Sequence, residues 1–270
     1  MYLRYERRRF LTALIASFIP CALLIACIYI LYWIALAQGA TLILSYWLAA
    51  LPAGWRSFFA ILSPLDMRNP LVFFARAYQP LMLLETVAAA ALAGRSLTYD
   101  ESGLHELLFA TGRSRGLIFT VRFLYNLLYV LCLNVLLFGT AVGGYCIFGQ
   151  LSTEYLSAFG LIFLKIAAVQ GVFCAVGTMF SSFTRRSGPA AFWSAVIVIL
   201  LWLLGILPAF DARLSFLWYA ALPHYALPEY ALTLTLWTLL QGIVLGAAAL
   251  VTVLIGYLVY RRREFYTAKR

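Results

Sequence analysis

The chain has 270 residues, of which 64% are hydrophobic and only 11% are charged, and its net charge is +10. Water-soluble domains carry about 25% charged residues, so this composition argues against a soluble enzyme and indicates a membrane protein. No internal repeat and no soluble region interrupts the hydrophobic stretches, which predicts a single transmembrane domain over residues 1–270. The positive charge then serves to orient the chain in a bilayer, and no nucleic-acid partner is implied.

Six stretches are long enough to cross the hydrocarbon core of a bilayer, which takes about 20 apolar residues of helix. We therefore expect an all-α, polytopic integral membrane protein with six transmembrane helices, namely Phe10–Leu36, Leu71–Leu92, Phe123–Phe148, Phe159–Phe183, Gly188–Leu207 and Leu234–Tyr260. The first stretch exceeds the about 7–15 apolar residues of a signal peptide, so we interpret it as a span. The residues before it either form a short separate helix or continue directly into the span.

The segment Leu42–Leu62 is apolar enough to form a seventh span, which would reverse the sidedness of every later segment. Pro52, Gly54 and Arg56 lie in its middle, however, and its aromatic residues suit the headgroup level of a membrane. We therefore interpret it as a bent outer segment that is either interfacial or re-entrant.

The basic residues support six spans with both termini in the cytoplasm, because cytoplasmic segments carry an excess of Lys and Arg. With six spans, fifteen of the twenty basic residues lie on the inner side: Arg4, Arg7, Arg8, Arg9, Arg95, Arg113, Arg115, Arg122, Arg185, Arg186, Arg261, Arg262, Arg263, Lys269 and Arg270. Outer loops retain Arg56, Arg68 and Arg213. The remaining two, Arg76 and Lys165, fall within spans.

A polar segment between the second and third spans, Tyr99–Arg115, has the sequence YDESGLHELLFATGRSR. Its leucines recur at helical spacing, its acidic residues favour the first turn, and Gly112 is a natural terminator. The pattern predicts a short amphipathic cytoplasmic helix of about 13 residues and roughly 20 Å. A helix lying on anionic lipid is the alternative, although the headgroups would repel its carboxylates.

The same segment resembles the permeases of the type 2 ABC exporter family, which carry a pattern like E-x-G-x-x-E-L-L-x-A-T-P-x-S-R between their second and third spans. The matching residues are Glu101, Gly103, Glu106, Leu107, Leu108, Ala110, Thr111, Ser114 and Arg115. The chain departs from the pattern at Gly112, where the family usually has proline, and relatives usually have a longer helix before the first span. The six-span plan and the proline-rich outer loop before the last span are similar to the family as well.

The resemblance implies that the amphipathic helix is a coupling helix, which docks into a groove on a cytoplasmic ABC ATPase subunit. Its ATPase-coupling residues are then Glu101, Gly103, Leu104, Glu106, Leu107, Leu108 and Thr111. The chain has no G-x-x-x-x-G-K-[ST] phosphate loop, so we assign it no catalytic residue and no cofactor, and expect ATP and magnesium in the separate ATPase.

The resemblance further implies a second permease subunit, either a copy or a paralogue, in the cytoplasmic membrane of a bacterium or archaeon. The expected function is export of a drug, a peptide antibiotic or another amphipathic molecule. A gradient-driven secondary transporter is an alternative, which would need coupled acidic sites or broken, repeated helices. A membrane anchor or immunity protein without transport is another.

Two charged residues lie deep within predicted spans, Glu85 and Lys165. Ionisable side chains at membrane depth are costly and often functional. The sequence leaves open whether these two form an ion pair or internal hydrogen bonds, or whether they belong to the transport pathway.

The outer segment Phe216–Leu232 precedes the last span. The resemblance implies short helices there that dip back and narrow the exit, which makes Tyr219, Tyr225 and Tyr230 candidates for an outer gate. An amphipathic loop on the outer headgroups is the alternative. The five cysteines all fall within spans without metal-type spacing, so we interpret them as packing residues and predict no metal site.

Overall fold

The computed structural model describes residues 2–52, 67–98, 114–148, 152–184, 186–228 and 239–262. In these ranges the chain is helical and has no β-strand, which confirms the all-α prediction for this part of the protein. The α-helices are α1 (Tyr2–Ala37), α2 (Ala40–Ala50), α3 (Pro70–Gly94), α4 (Arg115–Phe148), α5 (Thr153–Phe183), α6 (Ser187–Leu204) and α7 (Leu239–Arg262). Short 3-10 helices follow α6, over Leu207–Ala209, Ala212–Tyr219 and Leu222–Ala226.

Five of the described helices are long and apolar enough to cross a membrane: Arg7–Ala37, Arg115–Ile147, Thr153–Phe183, Ser187–Leu204 and Leu239–Arg262. They correspond to the first, third, fourth, fifth and sixth predicted spans, and they make the chain a multi-pass membrane protein. Several helices extend beyond the apolar stretches that predicted them. In particular, α1 runs without a break from Tyr2 and through Pro20, so the residues before the first span continue directly into it.

The second predicted span forms α3, which has 25 residues and a length of about 37 Å. It is long enough to cross a membrane but is not among the five apolar helices, because it carries Arg76, Gln79 and Glu85. More than half of its residues are buried, mainly against α5 and α6. A helix enclosed in this way does not need an apolar surface on every side, since its polar side chains face other helices.

Contacts between aromatic rings show that α3 and α5 run in the same direction. The ring of Phe74 packs edge-on against Phe159, with centroids 5.1 Å apart. One turn further along both helices, Tyr78 packs against Phe163 at 5.4 Å. The two helices therefore pass through the same layer of the protein, side by side.

The helix α4 runs in the opposite direction to α5. The ring of Tyr145, late in α4, lies 5.9 Å from that of Phe159, early in α5. At the other end of the pair, Asn126 donates a hydrogen bond to the hydroxyl of Thr178 at 3.4 Å. The direction thus reverses between these two consecutive helices.

The remaining long helices continue this alternation. α1 is parallel to α4, because the Tyr29 hydroxyl donates to the carbonyl of Ala141 near the ends of both helices (2.6 Å). The start of α6 packs against the end of α3, where a Cβ added to Gly94 would lie 2.9 Å from the Ala190 carbonyl oxygen. The ring of Phe119, early in α4, packs against that of Tyr257, late in α7, at 5.7 Å, so α7 is antiparallel to α4. In chain order, α1, α4 and α6 therefore point one way and α3, α5 and α7 the other.

Basic residues collect at one end of this bundle, where α1, α4 and α6 begin and α3 and α7 end. The described residues there are Arg7, Arg8, Arg9, Arg95, Arg115, Arg122, Arg186, Arg261 and Arg262. We call this the arginine-rich end. The opposite end carries Arg68 and Arg213 among the described residues.

The segment Leu42–Leu62 is described only as far as Pro52. Its first part lies in α2, whose 11 residues are too few to cross a membrane. The helix ends at Ala50, Leu51 after it adopts an extended conformation, and Pro52 follows. Tyr46 and Trp47 are 74% and 70% exposed. A short helix that stops at a proline, with exposed aromatic residues, agrees with a bent segment; residues 53–66 lie outside the described part.

Candidate functional site

The residues expected to couple to an ATPase lie outside the described part of the chain: Glu101, Gly103, Leu104, Glu106, Leu107, Leu108 and Thr111. The structure does describe the residues on either side, 95–98 and 114–115. Since α3 ends and α4 begins at the arginine-rich end, the described residues on both sides of the motif segment lie at that end.

Two arginines of α4 attach the flanks of this segment to the bundle. Arg122 is buried and donates a hydrogen bond from Nη1 to the carbonyl of Ser96, just beyond the end of α3. Arg115 donates from Nη1 to the carbonyl of Arg261 at 3.4 Å, in the last turn of α7. Both cations lie beside helix C-termini, where the helix dipole favours positive charge.

A small hydrophobic cluster reinforces this attachment. Leu97, which follows α3, is fully buried and packs with Ile118 and Phe119 of α4 and Tyr260 of α7. We call these four residues the end cluster. The ring of Phe119 lies 6.1 Å from that of Tyr260. The first flank of the motif segment, the start of α4 and the end of α7 thus form one packed unit.

Glu85 lies near the middle of α3 and is almost completely buried, with 4% of its surface exposed. The hydroxyl of Tyr78, two turns earlier on the same helix, donates to the carboxylate, with distances of 3.0 Å to Oε1 and 2.9 Å to Oε2. Of the alternatives that the sequence left open, the structure therefore shows an internal hydrogen bond for Glu85. Hydrogen bonding to a charged or polar group is what makes such burial tolerable.

Side chains from three other helices complete what we call the buried polar network. The thiol of Cys21 in α1 and the amide of Gln170 in α5 interact with the Glu85 carboxylate. The amide oxygen of Gln170 accepts a hydrogen bond from Asn134 Nδ2 of α4 at 2.8 Å, which orients the amide so that its nitrogen points away from Asn134. In the described part of the chain Nε2 of Gln170 has no partner at ordinary hydrogen-bond distance, so its interaction with the Glu85 carboxylate is a longer contact. All these residues lie near the midpoints of their helices.

Lys165 is buried as well, with 2% of its surface exposed. It precedes Gln170 by five residues on α5 and so lies about 7 Å further from the arginine-rich end. Among the described residues, the partners of the Glu85 carboxylate are Tyr78, Cys21 and Gln170. The structure does not bring Lys165 and Glu85 together.

The three candidate gate residues fall into different environments. Tyr225 is buried, and its hydroxyl donates to the carbonyl of Tyr219 at 2.9 Å. The side chain of Tyr219 is 48% exposed, and Tyr230 lies outside the described residues. Residues 221–228 are all buried, the 3-10 helix Leu222–Ala226 packing against α5 and α6, so this part of the outer segment folds back onto the bundle.

His224 anchors that segment to α6. Its Nε2 lies 2.8 Å from the carbonyl of Trp202, its ring packs on Trp202 with centroids 4.5 Å apart, and Gly205 leaves room for it. Since a carbonyl accepts, Nε2 carries the proton. Nδ1 is buried and has no hydrogen-bond partner in the described part of the chain. Burial lowers the pKa of His224 from 6.5 to about 4, because a charged imidazole would lose its hydration here.

We expect acid to destabilise the protein through His224. An unfolded chain binds a proton to this histidine near pH 6.5, whereas the folded protein binds it only near pH 4. Acidification from pH 6.5 to 4 therefore favours unfolding by up to about 3 kcal/mol, and above pH 6.5 this group contributes no pH dependence. Melting temperatures of the detergent-purified protein at pH 7.5 and pH 5 measure the effect. His224→Gln, which keeps a donor for Trp202 but cannot titrate, should show a smaller drop; equal drops in both proteins would contradict the assignment.

Most of the network around Glu85 was not predicted from the sequence, where Glu85 and Lys165 were the candidates and Cys21 was interpreted as a packing residue. Asn134 and Gln170 are neutral polar residues in apolar stretches, and that signal was available. The part played by Tyr78 and Cys21 depends on how the helices pack.

A scan against protein-family models and searches of curated proteins and of solved structures each found no match to this chain.

Proposed function

We propose that the chain is the membrane-spanning permease subunit of an ATP-driven exporter of the type 2 ABC kind. It would form half of a translocation pathway, with a second permease subunit as the other half, and would couple to a separate cytoplasmic ATPase that binds ATP and magnesium. The cargo would be a drug, a peptide antibiotic or another amphipathic molecule. The observation that carries the proposal is the position of the motif segment, whose two flanks are attached to the bundle at its arginine-rich end.

The alternating helix directions support six spans with both termini inside. α3 lies parallel to α5 and passes through the same layer as that helix, which supports its being the second span despite its polar residues. Arginine accumulates on the cytoplasmic side of membrane proteins, which orients the arginine-rich end toward the cytoplasm. The cytoplasmic membrane of a bacterium or archaeon is the corresponding location.

Cysteine labelling tests this topology. In a background without the native cysteines, Arg56→Cys and Arg213→Cys should react with an impermeant thiol reagent added to intact cells. Arg113→Cys and Arg186→Cys should react only after the membrane is opened, because the proposed topology keeps them in the cytoplasm. Labelling of position 113 in intact cells would support seven spans and remove the basis for coupling.

The attachment of the motif segment gives a physical route for coupling. Leu97 in the end cluster and Arg122 on Ser96 join the segment to α3, α4 and α7. Protein interiors are close-packed and transmit displacement. A force applied to the segment by a closing ATPase would therefore move these three helices instead of being lost in a loose loop.

Purification of the tagged chain from membranes of its own host tests the function. We expect a protein with a phosphate loop to co-purify and the mixture to hydrolyse ATP. Absence of any such protein, with the chain intact, would favour the membrane anchor or immunity protein.

The buried polar network specifically favours a second candidate, a gradient-driven transporter. A carboxyl group at mid-depth, which interacts with neutral side chains from three helices, is an arrangement that can bind and release a proton. Transport by the purified protein in vesicles separates the two candidate functions. A gradient-driven transporter would need a proton gradient and no ATPase, whereas the exporter would need its ATPase and ATP.

A further inference from the structure

A cleft of about 780 Å³ opens between α1 and α3 at the arginine-rich end of the bundle. We call it the basic wedge. Each of its walls is one helix face, with residues spaced three or four apart. The residues that define the two walls are Arg9, Ala13 and Ala16 on α1, and Ala88, Ala91 and Arg95 on and just after α3.

The mouth of the wedge is cationic. Arg8, Arg9 and Arg95 converge on it from two different helices, and the side chains of Arg8 and Arg95 are exposed. None of the described residues that line the wedge is acidic. Guanidinium groups bind phosphate oxygens through paired, charge-assisted hydrogen bonds, so the mouth fits a phosphate group.

Beyond Thr12 and Leu92, which lie nearer the mouth, the interior of the wedge is lined by alanines. Ala16 lies seven residues beyond Arg9, and Ala88 seven residues before Arg95, so both alanines lie about 10 Å deeper than the mouth. Both are exposed, which leaves an open, smooth channel that runs from the charged mouth toward the middle of the helices. A flexible hydrocarbon chain fits such a surface.

We propose that the basic wedge binds one anionic phospholipid, from the leaflet that is cytoplasmic in the orientation given above. Its phosphate lies between Arg8, Arg9 and Arg95, and an acyl chain lies along the alanines of the two walls. The size of the wedge falls within the range of about 300–1,000 Å³ of small-molecule sites. This binding does not depend on an ATPase and holds α1 and α3 at a fixed separation.

Native mass spectrometry of the detergent-purified chain tests the proposal. Phosphatidylglycerol and phosphatidylcholine with the same acyl chains are added in turn, and inorganic phosphate is added as a competitor. We expect one phosphatidylglycerol to be retained and to raise the melting temperature, phosphatidylcholine to be retained much less, and phosphate not to displace the lipid at equal concentration.

Two kinds of variant test the two halves of the wedge. Arg8→Gln with Arg95→Gln should weaken retention of phosphatidylglycerol by about tenfold or more, because charge-assisted bonds to the phosphate are lost. Ala88→Trp keeps the arginines but fills the channel, and should also reduce retention. Arg262→Gln is the matched control, because Arg262 is exposed at the same end but does not line the wedge; it should retain the lipid.

Four outcomes would overturn the proposal. Equal retention of the two lipids, or an equal loss in Arg262→Gln, would show that the arginines attract lipid only through general charge. Displacement by inorganic phosphate at equal concentration would show a phosphate site without a lipid. If Ala88→Trp instead abolishes an oligomer of the wild-type chain and lipid retention is unchanged, the wedge is a protein interface. Should the double variant fail to fold, the lipid comparison on the wild type and Ala88→Trp still decide.

Discussion

Glu85→Leu is expected to lower the melting temperature of the purified protein by several degrees and to reduce its yield in the membrane, whereas Glu85→Gln should retain both. The carboxylate accepts the hydroxyl of Tyr78, which is completely buried. A buried donor that loses its acceptor costs about 1–3 kcal/mol. In a protein of this size each kcal/mol lowers the melting temperature by about 2–4 °C. Glutamine keeps one carbonyl oxygen for Tyr78, so this hydrogen bond survives although the charge and the second acceptor oxygen are lost.

The matched control for these substitutions is Glu154, which is exposed in the first turn of α5. Glu154→Leu and Glu154→Gln should each change the free energy of unfolding by less than about 1 kcal/mol, since only an interaction with the helix dipole at the surface is lost. The melting temperature should therefore change little. A Glu85→Leu protein as stable as the wild type would contradict the structural role. Transport lost in Glu85→Gln at unchanged stability would instead support a pathway or proton-coupled role.

Much of the helical plan could be predicted from the sequence, because crossing a bilayer requires long apolar stretches that any single chain displays. The ends were harder to predict. α4 begins at Arg115 and α5 at Thr153, before the apolar stretches that start at Phe123 and Phe159. A helix extends beyond the hydrocarbon core where its additional turns still pack on the bundle, as Ile118 and Phe119 do in the end cluster. Hydropathy along the sequence does not reveal such packing.

The surroundings of Glu85 could not be predicted from position along one helix. Its main partner, Tyr78, lies on the same helix and two turns away, which helical geometry allows, but Gln170 and Cys21 reach it only because α5 and α1 pack against α3. An ion pair between Lys165 and Glu85 was one of the alternatives that the sequence left open, because both charges lie deep within predicted spans. The parallel register of α3 and α5 instead places Gln170 opposite Glu85.

The largest functional effect is expected from the motif segment, with Leu107→Asp or Leu108→Asp. In the predicted coupling helix these leucines lie on the apolar side, where they would fill a groove on the ATPase. Burial of one leucine is worth roughly 1.5–3 kcal/mol, so its loss weakens docking by about 10- to 150-fold, and the introduced carboxylate adds a desolvation cost. The chain should still insert and fold, because the bundle keeps its own contacts. The ATPase should co-purify poorly, and substrate should no longer change its turnover.

Arg262→Glu is the control, since it reverses a charge that is exposed at the same end of the bundle without touching the motif. It should leave both co-purification and substrate response at the wild-type level.

Glu106→Lys separates docking on the ATPase from binding to lipid. It removes a carboxylate that could bond to the ATPase, yet it strengthens the attraction of the helix to anionic headgroups. Reduced co-purification in Glu106→Lys supports docking. Normal co-purification and normal substrate-stimulated hydrolysis in both leucine variants would contradict the coupling role and leave a helix that lies on the membrane surface.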